Sequence, residues 1–212
     1  MKSVKFVIEF LKYPKQVGAI AESSGFLARK MAQQINGATN IIEFGPGTGC
    51  VTKEILRNLP ANGQLTCLEI NPHFCDHLKK IKDHRLKIVN EDVRNYSRKI
   101  ENFDCIMSSL PLGIFEKSQR EKIIALSGRS KTYIQFQYTP FLKSKLKRYF
   151  EDVEMKFVPL NFPPAFVYVA KNPRNASSRL EHRRTKRTGW KVLTAKVMQI
   201  LFVLVNFSGI NK

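Results

Sequence analysis

Three carboxylates stand in or just after short apolar runs, and the chain changes character after each. Glu43 stands in Ile41-Ile42-Glu43-Phe44, which is followed by Gly45, Gly47 and Gly49. Glu69 ends Leu65-Thr66-Cys67-Leu68-Glu69, and Asp92 follows the run from Leu86 through Glu91. An ionised carboxylate accepts hydrogen bonds and donates none, so such groups suit ribose hydroxyls, an exocyclic amine or an ammonium. Glycines at alternate positions let the backbone turn sharply and lie against a ligand with its amides bare. The interval Gly45-x-Gly47-x-Gly49 lacks the G-x-G-x-x-G spacing that accommodates a pyrophosphate, so a ligand without phosphates is expected.

The elements that position these residues follow from periodicity. Ile41 to Phe44 reads as a buried strand, and Val51 to Leu59 has helical spacing. Strand, glycine turn and helix form the opening unit of an open α/β sheet, whose ligands sit at the carboxyl ends of the strands. Asn71-Pro72 caps and starts a further helix, with Lys79, Lys80 and Lys82 at its C-terminal end. Phe103 to Leu110 is a fourth strand ending in Ser108-Ser109-Leu110-Pro111-Leu112. Glu116 to Leu126 predicts a helix, Lys131 to Tyr138 a fifth strand, and Phe141 to Phe150 a basic helix. Val153 to Pro159 and Ala165 to Ala170 are expected to close the sheet as an antiparallel pair around Asn161-Phe162-Pro163-Pro164. The fold class is therefore α/β, with a mostly parallel seven-stranded sheet covered by helices on both faces.

The pattern Glu43-x-Gly45-x-Gly47-x-Gly49 resembles motif I of the class I S-adenosylmethionine-dependent methyltransferases, and Glu69 and Asp92 stand in that family's order. Closer to the N-terminus, Pro14-x-x-Val17-Gly18-Ala19-Ile20-Ala21-x-Ser23-Ser24 resembles the signature of the bacterial phospholipid N-methyltransferases, with Glu22 where that family usually carries proline. Gln135-Phe136-Gln137-Tyr138 and Asn161 to Ala165 resemble segments of the same enzymes, so the likeness runs from residue 1 to about residue 172. The resemblance implies S-adenosylmethionine as cofactor, held by Ile20, Ser24, Glu43, Gly45, Gly47, Gly49, Glu69, Ile70, Asp92, Val93 and Ser108. It implies Glu69 on the ribose and Asp92 on the adenine amine. It puts the methyl acceptor against Ser109, Leu110, Pro111 and Tyr138. The residues themselves predict a helix from Gly25 to Gln34 with Ser23 or Ser24 as its cap. The reaction implied is N-methylation of phosphatidylethanolamine towards phosphatidylcholine.

Charge points the same way. Lys and Arg number 36 against 17 Asp and Glu, a formal +19, which calls for an anionic partner, either membrane surface or nucleic acid. Lys2, Lys5 and Lys12 share a helical face with Glu9, while Val4, Val7, Ile8 and Leu11 face away, and Pro14 ends the run. That is the pattern of a basic amphipathic helix, either packed on the domain as its first helix or lying in a membrane interface. Cys50, Cys67, Cys75 and Cys105 form no C-x-x-C pair and read as reduced, with no metal site. From Lys171 to Lys191 there are eight Lys or Arg and one Glu, the composition of a linker. Leu193, Val197, Ile200, Leu201, Leu204 and Val205 then recur at helical spacing over a run short of the ~20 residues that span a bilayer. The expected organisation is N-terminal helices over 1–36, a cofactor-binding domain over 37–171, a basic linker over 172–191 and an apolar helix over 192–212. The expected location is the cytoplasm, peripherally on the inner face of the membrane.

Aromatic faces stabilise methylated ammonium heads, and Tyr13, Phe115, Tyr138 and Phe162 are candidates for that contact. Lys143 or Lys145 could hold a lipid phosphate. RNA adenine N6-dimethylation is an alternative; the related rRNA adenine dimethylases use Asn-Leu-Pro-Tyr or Asn-Leu-Pro-Phe where this chain has Ser109-Leu110-Pro111-Leu112. The acceptor could also be an ornithine lipid, or the chain a non-catalytic scaffold that binds the cofactor.

Overall fold

Runs of apolar residues buried on both faces fix the centre of the sheet. Ile41, Ile42 and Phe44 of β1 (Asn40–Phe44) and Cys105, Ile106 and Met107 of β4 (Cys105–Ser108) are wholly inaccessible. The computed structural model describes residues 18–96, 103–161 and 163–175, with side chains from Gly25 onward. Chain order is α1 (Gly18–Ala32), β1, α2 (Cys50–Asn58), β2 (Gln64–Glu69), α3 (Pro72–Leu78), β3 (Leu86–Asn90) and β4, then α4 (Lys117–Ser127), β5 (Thr132–Gln137), α5 (Lys143–Leu146), β6 (Phe150–Val158) and β7 (Ala165–Pro173).

The seven strands lie in the order β3-β2-β1-β4-β5-β7-β6. β1 to β5 are mutually parallel, and β7 runs antiparallel between β5 and β6. Strand order reverses between β1 and β4, which opens a crevice at their carboxyl ends. Gln137 pairs with Phe166 and Val158 with Ala165, so the tip of the β6–β7 hairpin lies at that same edge. One face of the sheet packs Leu27, Met31 and Ile55 of α1 and α2 against Ile41, Leu65 and Ile134. The other packs Ile123 and Ile124 of α4 with Leu142 and Leu146 against Ile42, Phe44, Ile106 and Tyr168. Each such side chain contributes roughly 1.5–3 kcal/mol on burial. At the amino edge, Asp104 accepts from the amides of Thr39 and Asn40 at 3.2 and 3.1 Å and pairs with Lys131 at 2.8 Å, tying the starts of β1 and β5 together.

Two expectations are corrected. α1 spans Gly18–Ala32, so Ser23 and Ser24 lie inside the helix and not at an N-cap. Ala19, Ile20 and Ala21 carry the helix through this segment. The helix expected over Phe141 to Phe150 is the single turn Lys143–Leu146, and Phe150 opens β6. Phe150 is drawn into the core, its ring stacked 6.3 Å from that of Tyr133, and packing overrides the local helical pattern. The helix expected over Lys2 to Lys12, the linker beyond residue 175 and the helix expected over 192–212 lie outside the described residues, as do Tyr13 and Phe162. Among the described residues no helix is long and apolar enough to cross a membrane.

Candidate active site

The glycine turn after β1 works through backbone conformation. Gly45, Gly47 and Gly49 have φ of 67°, 56° and 79°, values that side-chain-bearing residues rarely adopt. Each has a different neighbourhood. A Cβ on Gly45 would stand 2.6 Å from Leu110 Cδ2, and one on Gly49 would stand 2.8 Å from Leu78 Cδ2, so these two allow close packing. A Cβ on Gly47 would meet nothing within 4 Å; its surface is open.

The carboxylates differ in state. Glu43 is fully buried, with Oε2 accepting from Thr52 Oγ1 at 2.7 Å and Cys67 Sγ at 3.3 Å, while Oε1 has no hydrogen-bond partner. Burial pushes its carboxyl up to about 7, against the hydrogen bonds from Thr52 and Cys67. Glu69 accepts the amide of Gly47 at 3.0 Å on one oxygen and that of Asn71 at 2.8 Å on the other, which ties the glycine turn to the end of β2. Asp92 is gripped by the residue two places on: the Arg94 amide donates to Oδ1 at 2.8 Å and its guanidinium to both oxygens. Hydrogen bonding from Arg94 holds the Asp92 carboxyl below its ordinary value.

Gly45, Glu69, Ile70, Asp92, Val93 and Leu110 converge on one pocket of about 130 Å³, joined by Leu68, Glu91, Arg94, Phe115 and Ile123. Glu43 and Gly49 do not line it; they support the turn from beneath and beside. Ser108 is also buried away from the pocket, its Oγ 3.4 Å from the Leu110 amide. Ile20 and Ser24 are in α1, whose side chains are described only from Gly25. Arg94 was missed by sequence reading, since nothing in the spacing shows that it folds back onto Asp92.

The Ser109 to Gly113 loop is held by β5. Gln135 Nε2 and Gln137 Nε2 both donate to the Leu110 carbonyl, at 3.0 and 2.9 Å, and Gln137 Oε1 accepts from the Gly113 amide at 3.3 Å. Tyr133 donates to Gln135 Oε1 at 2.6 Å, and Arg120 Nη1 donates to the Phe115 carbonyl at 3.3 Å. The loop is a rigid wall. Ser109 Oγ is buried without a partner, and Pro111 is half-buried beside it. Tyr138 stands apart from the pocket, edge-on to Phe136 at 5.6 Å and packed on the core, its hydroxyl pushed up to about 12 by burial. Lys145 is turned to Glu121 at 4.0 Å, while Lys143 is exposed.

The residues fit the cofactor implied by the sequence. Glu69 keeps lone pairs for a diol beside the open face of Gly47, and Ile70 and Val93 offer apolar walls for a flat base.

A family model described as "Methyltransferase domain" matches residues 41–129. The chain is 29% identical over 188 residues to the ornithine lipid N-methyltransferase of Singulisphaera acidiphila, covering 81% of this chain and 96% of that one. Among solved structures it resembles the N-terminal domain of EvdMO1 with SAH bound, with TM-score 0.55 and 12% identity over 71% of this chain and 81% of that one. It also resembles the precorrin-6y C5,15-methyltransferase of Geobacter metallireducens GS-15, with TM-score 0.55 and 18% identity over 69% of this chain and 87% of that one.

Proposed function

We propose that the chain acts as a class I S-adenosylmethionine-dependent methyltransferase that N-methylates the amine headgroup of a membrane lipid. One observation carries the reading: the alignment with an ornithine lipid N-methyltransferase extends over 188 residues, well past the matched domain. Ornithine lipid is accordingly placed first as acceptor and phosphatidylethanolamine second. The wall of Ser109-Leu110-Pro111-Leu112 supports it by lacking both the side-chain amide and the aromatic ring that a flipped adenine would use.

When bound, S-adenosylmethionine supplies a methyl group on a sulfonium, a good leaving group. What the chain must add is alignment and exclusion of water. Glu69 and Asp92 hold the nucleoside, and Glu43 braces the strand behind the glycine turn through Thr52 and Cys67. Gln135 and Gln137 fix the wall that faces the acceptor. The amine must arrive neutral, which an apolar wall favours by disfavouring the ammonium form.

The test is incubation of purified protein with methyl-labelled S-adenosylmethionine and, separately, ornithine lipid, phosphatidylethanolamine in anionic liposomes, or bulk RNA. Label in the organic extract of the ornithine-lipid reaction is expected. Label in phosphatidylethanolamine alone would reverse the order of acceptors, and label only in RNA would overturn the lipid reading.

A further inference from the structure

Among the described residues the exposed large apolar side chains are Ile70 at 64%, Ile114 at 40%, Phe157 at 57% and Leu160 at 70%. All gather at the carboxyl edge of the sheet. Ile70 follows β2, Ile114 is in the loop between β4 and α4, and Phe157 and Leu160 belong to the β6–β7 hairpin, whose tip lies beside the end of β5. Single exposed apolar residues need no explanation, but their collection on one edge does. The cofactor pocket accounts for Ile70; the other three have no part in it.

Cations share that edge. Lys53 is in the first turn of α2 and Lys117 is the first residue of α4, and neither helix has an acidic residue in its first turn. A cation there works against the helix dipole by ~0.3–1 kcal/mol. Glu116, the N-cap of α4, is exposed and makes no capping bond, so it offsets Lys117 in part. Behind the hairpin a groove of about 320 Å³ is lined by Phe26, Val158, Leu160 and Val167 and flanked by Lys30 and Lys156. The Lys30 ammonium is 5.5 Å from the centre of the Phe26 ring; that of Lys156 is 2.9 Å from Gln34 Oε1 and 3.5 Å from Glu154. With a strand rise of ~3.3 Å per residue, Lys156 stands roughly 10 Å behind the tip. That matches the ~5–10 Å by which interfacial apolar groups enter the boundary between headgroups and acyl chains.

We propose that the carboxyl edge of the sheet is a docking surface for an anionic bilayer. Ile114, Phe157 and Leu160 enter the headgroup boundary, and Lys30, Lys53, Lys117 and Lys156 meet the phosphate layer. Nucleic acid would satisfy the lysines, but Ile114 and Leu160 have no ring on which a base could stack. Docked in this way, the pocket opens onto the headgroup layer, and an acceptor amine reaches it without its lipid leaving the membrane. The inference shares with the proposed function the premise of a lipid surface; its test reads binding and not methylation, so the two can fail separately.

Full-length protein is floated with vesicles of phosphatidylcholine, with and without phosphatidylglycerol. Leu160→Asp and Phe157→Asp are each expected to weaken binding to the anionic vesicles about fivefold or more, with melting temperature and S-adenosylmethionine affinity unchanged. Should Phe157→Asp fail to fold, Leu160→Trp in a Trp190→Phe background gives a second reading. Its emission should shift to the blue on phosphatidylglycerol vesicles and stay unmoved on bulk RNA. Wild-type binding by Leu160→Asp, or emission indifferent to vesicles, overturns the proposal, and a shift on RNA alone overturns it in favour of nucleic acid.

Discussion

Glu43 carries the sharpest residue-scale consequence, because its protonation differs between folded and unfolded chain. Burial, the largest influence, pushes its carboxyl from the ordinary 4.5 to about 7. The folded state therefore holds the proton more tightly, and the associated stability is full below about 4.5 and lost as pH rises through about 7. That difference amounts to roughly 3 kcal/mol at most. Glu43→Gln keeps the shape of the neutral form, so its melting temperature should exceed that of the wild type above pH 7 and converge on it near pH 5. Melting curves followed from pH 5 to 9 check this, and parallel curves would mean that Glu43 stays in one protonation state. The carboxylates themselves were legible in the sequence because each stands in or just after an apolar run that reads as a strand, although the strand before Asp92 is only half-buried. Their hydrogen bonds were not: the turn that brings Arg94 onto Asp92, and the depth that leaves Glu43 Oε1 without a partner, depend on three-dimensional placement.

At the scale of elements, β5 determines how well the acceptor wall is held. Gln135 and Gln137 alternate with Phe136 and so fall on one side of the strand, where both reach the Leu110 carbonyl. Gln137→Leu leaves the Gly113 amide without its acceptor and the Leu110 carbonyl with one donor fewer, a loss of about 1–3 kcal/mol in loop rigidity. Since small misplacements at a transfer site act on the chemical step, kcat should fall about tenfold or more while S-adenosylmethionine affinity holds. An unaltered kcat would remove these glutamines from the positioning of the wall. The Ser108 to Leu112 segment was recognised in the sequence as a strand end facing a ligand. The clamp on it was invisible, because a glutamine in a strand-like run gives no sign of which carbonyl it will meet. α5 fails for a related reason: Lys143 to Tyr149 has helical spacing, but Phe150 is claimed by the core and the chain must leave the helix to place it.

At the scale of the whole molecule, a formal +19 must be reconciled with a fold whose described charges are largely on the surface. Charges of one sign raise association with anionic surfaces and are screened beyond ~10 Å at 0.1 M salt. Binding to phosphatidylglycerol vesicles should therefore weaken steeply with added salt, but a residue should persist at high salt because apolar insertion at Phe157 and Leu160 is not screened. We propose a second contact at the amphipathic run Lys2 to Lys12, which has three lysines on one face. Deleting residues 1–12 should lower vesicle affinity and make the remainder less sensitive to salt, with secondary structure and melting temperature intact. If the terminal run and the hairpin tip enter the bilayer as separate contacts, the deletion and Leu160→Asp lower affinity by factors that multiply, since independent free energies add. A combined variant no weaker than either parent would mean that one contact forms only when the other has formed. Unchanged binding after the deletion would leave the carboxyl edge as the surface that must account for the affinity.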